Sequence, residues 1–222
     1  MTTATSETFA PSPTRGDLVQ RGYRDRIVGD MTIDAYAAFD RAAVEKHELI
    51  DGEVVRKGGG SPEHNLICAN VLRGLGNALE TLQVNGDALG SDQKVYVRDD
   101  FFLYPDAIIV CGESQFDAQD ALRNPVVIVE VLSPSTAAFD LGRKFEAYRT
   151  LSSLEHYIVV EQDRASITHF AKVAGNLWAI VGEHSQFTDQ LTIAIADTEV
   201  AVPLTAIYRR VSLPEAQIDQ KD

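Results

Sequence analysis

Two apolar runs in mid-chain, Ala107-Ile108-Ile109-Val110 and Val126-Val127-Ile128-Val129, carry no polar alternation. Runs so rich in Val and Ile read as strands buried on both faces, spanning about Tyr104–Val110 and Val126–Leu132. Other segments show different periods. Thr32 reads as the cap of a helix from Ile33 to about Val44, with Asp34 in its first turn. His47–Ile50 and Glu53–Arg56 flank Asp51-Gly52, a pair that favours the tight type I′ turn of a hairpin. Gly58-Gly59-Gly60 forms a link behind it. Ser61-Pro62-Glu63 then opens a helix with a capping Ser and Pro at the first helical position. Behind it Leu66, Ile67, Val71, Leu72, Leu75, Leu79 and Leu82 recur at helical spacing. Ser133-Pro134-Ser135-Thr136 breaks the second apolar strand, and a helix from about Ala137 to Leu151 comes next. Further strands are predicted at Lys94–Val97, His156–Glu161, Ser166–Lys172, Leu177–Val181 and Leu191–Ile195, with Trp178 packed beneath the sheet. This order predicts one α/β domain, a mixed β-sheet flanked by helices.

The flanks differ in composition. Residues 1–29 are rich in Thr, Ser, Pro and Gly and read as a flexible arm, and 212–222 as a polar tail, leaving 30–211 as the domain. No apolar stretch approaches the ~20 residues that span a bilayer, so no membrane partner is expected. The N-terminus lacks the apolar core of a signal peptide. Cys68 and Cys111 are too few for a disulfide framework or a zinc spacing and read as free buried thiols in a reducing cytoplasm. The net charge of -13 repels a polyanion at long range and argues against tight metal-free binding to nucleic acid. Arg15, Arg21, Arg24 and Arg26 form the clearest basic segment, read as a solvated tail in preference to a phosphate-gripping arm.

Chemistry enters with the acids. Asp106 stands at the start of one apolar strand and Glu130 lies inside the other, where an unpaired carboxylate is costly. A divalent cation is one partner that would satisfy both; a turn cap for Asp106 and an arginine for Glu130 is the plainer one. Asp140, Lys144 and Tyr148 recur at successive i, i+4 steps and form one polar stripe on a helix. A Lys ammonium beside a metal-bound water can orient it or stabilise developing phosphorane charge. A surface ion pair between Asp140 and Lys144, worth roughly 0.3–0.5 kcal/mol, accounts for the same spacing. Glu48, at the start of the hairpin, reads by itself as solvent-facing. His64, one turn into its helix, either meets a phosphate or lies on the surface.

Taken together, HELIDGEVV, SPEHNLICANVL, YPDAIIV, NPVVIVEVLSPST, the D-x-x-x-K-x-x-x-Y run and LEHYIVV resemble the Uma-type restriction endonuclease family of the PD-(D/E)XK nuclease superfamily. The similarity covers roughly residues 30–185, and VEVLSPST with the run behind it is its most specific part. The resemblance implies a restriction-endonuclease-like fold. It matches Asp106 to the Asp of the Pro-Asp element, Glu130 to the acid of (D/E)-x-K, and Glu48 to an upstream acid. The position two after Glu130 is Leu132, so the superfamily's strand lysine is absent and Lys144 becomes its candidate. The resemblance further implies an Mg²⁺ or Mn²⁺ site on Asp106, Glu130, Glu48 and the Val131 carbonyl, with Lys144 catalytic and Asp140, Tyr148 and His64 supporting. The implied reaction is endonucleolytic hydrolysis of DNA, and cutting both strands would favour a homodimer. Two other readings compete: a catalytically degenerate nuclease fold that binds nucleic acid or a protein, and a metal-dependent hydrolase of smaller phosphate esters.

Overall fold

The computed structural model describes residues 26–214 except Asp30 and Ser135. The expected basic segment falls largely outside this range, with Arg15, Arg21 and Arg24, and so does most of the polar tail. Strand β1 (Arg26–Val28) precedes helix α1 (Ile33–Ala42), whose first turn is capped by the Thr32 hydroxyl accepting from Ala35 N–H. The hairpin is β2 (His47–Ile50) and β3 (Glu53–Arg56), and both turn residues, Asp51 and Gly52, have positive φ, as a type I′ turn requires. Helix α2 (Pro62–Thr81) is capped by Ser61, as predicted. Then come β4 (Gly86–Gly90), β5 (Val95–Arg98), β6 (Phe101–Leu103), β7 (Ala107–Cys111) and β8 (Val127–Leu132). Short helices α3 (Ala137–Phe139) and α4 (Phe145–Tyr148) are joined by a π turn at Asp140–Lys144. The chain continues through β9 (His156–Glu161), β10 (Ile167–Lys172), β11 (Trp178–His184), β12 (Gln190–Ile195), β13 (Thr198–Pro203) and α5 (Leu204–Ile207).

The expected single mixed sheet is three sheets among the described residues. A five-stranded one runs β1-β3-β2-β6-β5, a six-stranded one runs β11-β10-β9-β8-β7-β4, and β12-β13 form a separate pair. In the six-stranded sheet β8 pairs with β9 in parallel, whereas β7 with β8 and β9 with β10 are antiparallel. A parallel pair cannot be joined by a tight turn and needs a crossover. The chain from Ser133 to Glu155 supplies it, and it lays α3, the π turn and α4 over one face of β8.

Every residue of β8 is buried, as the apolar run predicts. Alternation sorts its side chains. Ile128 and Leu132 join Ile50, Phe139, Ala147 and Tyr148 in one core, between the two large sheets and the crossover helices. Val127, Val129 and Val131 join Ile67, Val71, Leu75 and Leu79 of α2, with Leu191, Val200 and Val202 of the small sheet, in the other. Glu130 therefore faces the crossover helices, and on β2 Glu48 shares the face of Ile50 toward the same core. A third core under α1 gathers Tyr36, Leu49, Val54 and Phe102.

Several expectations need correction. The strand expected over Tyr104–Val110 begins only at Ala107, so Asp106 precedes it. The helix expected to reach Leu151 ends at Tyr148 and carries the π turn. Leu66 and Leu82 are exposed, because the inward stripe of α2 runs through Ile67, Asn70, Val71, Leu75 and Leu79. Cys68 and Cys111 are half-buried, not fully buried. Trp178 is half-buried and meets Phe145 edge-on at 5.5 Å, on the face expected of it.

Helix α2 lies close to the small sheet at Gly74, where an added Cβ would sit 2.7 Å from Val202 Cγ1. We expect Gly74→Ala to destabilise the fold by about 1–3 kcal/mol through overpacking. In a urea-unfolding cycle, Gly74→Ala combined with Val202→Ala should cost less than the sum of the two single changes.

Candidate active site

Glu130 is 2% exposed, in a strand covered on both faces, and such a carboxylate needs partners. The crossover supplies them. Glu130 Oε1 receives Lys144 Nζ at 3.2 Å and the Tyr148 hydroxyl at 3.1 Å. Lys144 Nζ also lies 3.0 Å from Asp140 Oδ1 and 3.8 Å from Glu48 Oε1. Asp140 and Lys144 are the two ends of the π turn, a distortion common where a helix must aim side chains at a site. The backbone there is held from the sheet, since the Tyr157 hydroxyl donates to the Asp140 carbonyl at 2.8 Å. Both Asp140 and Lys144 are buried, so the surface ion pair is not what the spacing encodes.

Glu48 is buried too, against the expectation from its place in the hairpin. Its Oε1 accepts the Tyr104 N–H at 3.0 Å, which ties β2 to the segment before Asp106. Asp106 sits just before the first residue of β7, alongside β8. Its Oδ2 accepts the Val131 N–H at 2.9 Å, and its own N–H donates to the Val129 carbonyl at 3.2 Å. The N–H and C=O of one strand residue point to the same edge, so the Val131 carbonyl opens on the side of Asp106. His64 Nε2 lies 3.2 Å from Asp106 Oδ2, and Lys57 Nζ lies 3.6 Å from Oδ1. His64 is therefore half-buried and bonded inward, on a helix start fixed by the Ser61 hydroxyl accepting the His64 N–H at 3.1 Å. The glycine link is needed close by: a Cβ on Gly60 would lie 2.5 Å from His64 Nδ1.

These groups meet around one cleft of about 300 Å³, lined by Glu48, Lys57, His64, Asp106, Glu130, Asp140 and Lys144, with Gly58–Gly60 on its rim. Sequence reasoning missed Lys57. Lys57 directly precedes the glycine run, and that juxtaposition was the available signal.

The electrostatics depend on the count of charges in this network. Four carboxylates, on Glu48, Asp106, Glu130 and Asp140, face the ammonium groups of Lys57 and Lys144. Burial pushes the Glu130 carboxyl up to about 8; Lys144 pulls it down, and Asp106 and Asp140 push it further up. Burial also acts on Asp106, but the His64 hydrogen bond and the charges of Lys57, His64 and Lys144 outweigh it and hold that carboxyl well below the usual range. For Lys144 burial favours the neutral amine, yet Asp140, Glu130 and Glu48 together keep the ammonium well above its ordinary range. One ammonium is shared among three acids, and the most buried of them is the one whose ionised form burial disfavours.

Comparison with known proteins decides the family. The family model Uma2, described as "Putative restriction endonuclease", matches residues 33–203. The chain belongs to this family. Two relatives from Synechocystis sp. PCC 6803 align over most of their own length. The uncharacterized protein sll1609 is 32% identical over 162 residues, which is 70% of this chain and 90% of that protein. The uncharacterized protein slr1290 is 31% identical over 179 residues, 79% of this chain and 90% of that protein. A crystal structure from Anabaena variabilis ATCC 29413, titled as a putative nuclease belonging to DUF820, superposes with a TM-score of 0.61. It covers 80% of this chain and 97% of its own at 10% identity, a likeness of fold. The Uma2 chain thus has the mixed α/β restriction-endonuclease-like fold that its motifs imply. Among the described residues no helix is long and apolar enough to cross a membrane.

The buried proton gives a pH test. Between the ordinary Glu value of 4.5 and about 8, folded Glu130 keeps a proton that the unfolded chain has released. Its contribution to stability is therefore full below the lower value and falls as pH rises toward the upper one. Urea unfolding in the presence of chelator should show this decline, and Glu130→Gln should flatten it; an unchanged slope in the variant would mean that another group titrates.

Proposed function

We propose that this Uma2 protein is a metal-dependent endonuclease that hydrolyses phosphodiester bonds in DNA, with Mg²⁺ or Mn²⁺ held by Asp106, Glu130 and the Val131 carbonyl and assisted by Glu48. The observation that carries the reading is the buried charge balance. Four carboxylates face two lysines and His64, a cluster short of positive charge, and burial disfavours the ionised form of Glu130 within it. The donors suit a hard ion, which takes carboxylate and carbonyl oxygens and retains several waters. Such an ion, when bound, lowers the pKa of a water and neutralises charge on the scissile phosphate.

The remaining roles belong to this chain's own residues. Asp106 is preset by the Val131 N–H and His64, so its carboxylate is ionised and aimed before any ligand arrives. We take Lys144 as the counterpart of the strand lysine that Leu132 replaces. Glu130 and Leu132 share a face of β8, and the ammonium reaches that face from the crossover helix, 3.2 Å from Glu130. There it orients the attacking water and offsets charge gathering on the phosphate. Asp140 positions it, and Tyr148 holds the Glu130 oxygen that it meets. Lys57 stands at the Asp106 side of the cleft, where a phosphate oxygen of the backbone would arrive. With a net charge of -13, the chain depends on such local cations to admit DNA.

Supercoiled plasmid incubated with the full chain should be nicked or linearised with Mn²⁺ and untouched with chelator. Asp106→Ala, Glu130→Ala and Lys144→Ala should each lower the rate by at least about a hundredfold, the lower range for loss of a general acid-base group. Wild-type rates in any of them would remove that residue from the reaction. Absence of cleavage on single- and double-stranded DNA alike would favour the degenerate, binding-only fold. Independently of activity, Mn²⁺ at one hundred times its dissociation constant should stabilise the fold by about 2.7 kcal/mol. An equal thermal shift in Asp106→Ala would place the ion elsewhere.

A further inference from the structure

Behind the cleft wall that His64 lines, helix α2 brings up a different kind of donor. Cys68 lies one turn after His64, and its Sγ is 3.4 Å from His64 Nδ1. The Nε2 of that ring is 3.2 Å from Asp106 Oδ2. Among the described residues, His64, Cys68 and Asp106 form a group whose ligand atoms all lie within 4.8 Å of one another. Ligand bonds of about 2.0–2.3 Å arranged tetrahedrally put donors about 3.3–3.8 Å apart, so the set closes when the His64 ring, whose two nitrogens now face different partners, turns one of them to the ion.

The chemistry of this set differs from that of the acids. Glu48, Glu130 and the Val131 carbonyl offer oxygen alone, which suits Mg²⁺ or Mn²⁺. An imidazole and a thiol beside one carboxylate suit a borderline-soft ion, and Zn²⁺ with three protein ligands and one open position is a common arrangement. The sequence places the pair at the i, i+4 spacing that puts both side chains on one helix face, and Ser61 and Pro62 fix where that face begins.

We propose that His64, Cys68 and Asp106 form a second metal site, selective for zinc-class ions, that shares Asp106 with the hydrolytic centre and shuts it off when filled. Binding releases the Cys68 thiol proton to solvent and leaves the thiolate on the metal. It withdraws Asp106 from the oxygen-only set and turns His64 away from its hydrogen bond. The two sites share a single carboxylate, so filling one weakens the other. Inhibition rests on the nuclease reading; binding at the three donors does not.

Two readouts separate binding from inhibition. Co²⁺, a spectroscopic stand-in for Zn²⁺, is titrated into the reduced full-length chain while the near-ultraviolet thiolate-to-cobalt charge-transfer absorption is followed. One equivalent should produce the band, Zn²⁺ should abolish it, Cys111→Ser should keep it and Cys68→Ser should lose it. Serine retains a hydrogen-bonding partner for His64 Nδ1, so Mn²⁺-dependent cleavage should persist in Cys68→Ser. In that variant the Zn²⁺ concentration for half-inhibition should rise by more than about tenfold, the least that loss of even an outer-sphere partner costs. No band, or a band that survives in Cys68→Ser, overturns the site. Equal zinc sensitivity of the two proteins overturns the shared-carboxylate switch. A band without cleavage under any condition leaves the metal site standing and removes the nuclease reading together with the switch.

Discussion

Glu130 is a carboxylate in the middle of a strand covered on both faces, and the site is arranged around keeping it there. A buried charge survives only with compensation. Compensation comes from the crossover that the parallel β8–β9 pair requires, so the topology of the sheet and the electrostatics of the site have one origin. Had β8 and β9 been antiparallel, a tight turn would have sufficed and no helix would carry Lys144 over Glu130. The π turn between α3 and α4 tightens the arrangement, since it aims both Asp140 and Lys144 at the sheet.

Division of labour among the acids reflects their places on strands. Asp106 lies just outside β7, where backbone groups of β8 are free to meet it, and it is held ionised by the Val131 N–H, His64 and Lys57. Glu130, one strand over and deeper, is the acid whose charge is hardest to keep. Glu48 arrives from the second large sheet and also fastens the Tyr104 backbone, so it joins two layers as well as two charges. A pair of carboxylates pushed in opposite directions by their surroundings is a common mark of a working site.

Much of the fold was legible from local pattern. The hairpin at Asp51-Gly52, the capped start of α2 and the bounds of β9 match their predicted places, because turn chemistry, capping and dense apolar runs act over a few residues. Strands β4, β6 and β13 were not legible. Gly86–Gly90 is half-exposed and glycine-containing, Phe101–Leu103 is three residues long, and Thr198–Pro203 turns only Val200 and Val202 fully inward. Leu66 and Leu82 were assigned inward by type, but the neighbours that α2 meets selected a different stripe.

For the site, the amino-acid order determined which chemical groups exist and how they are spaced: a Pro-Asp before one apolar strand, a Glu inside the next, and an Asp, Lys, Tyr series at helical intervals. Those spacings are intrinsic to strand and helix geometry. Only the tertiary structure decided that Glu48 points inward and that His64 and Lys57 meet Asp106. These arrangements depend on how separate layers of the molecule pack, and the free energy that selects them comes from burying whole faces, which no short stretch of chain can specify.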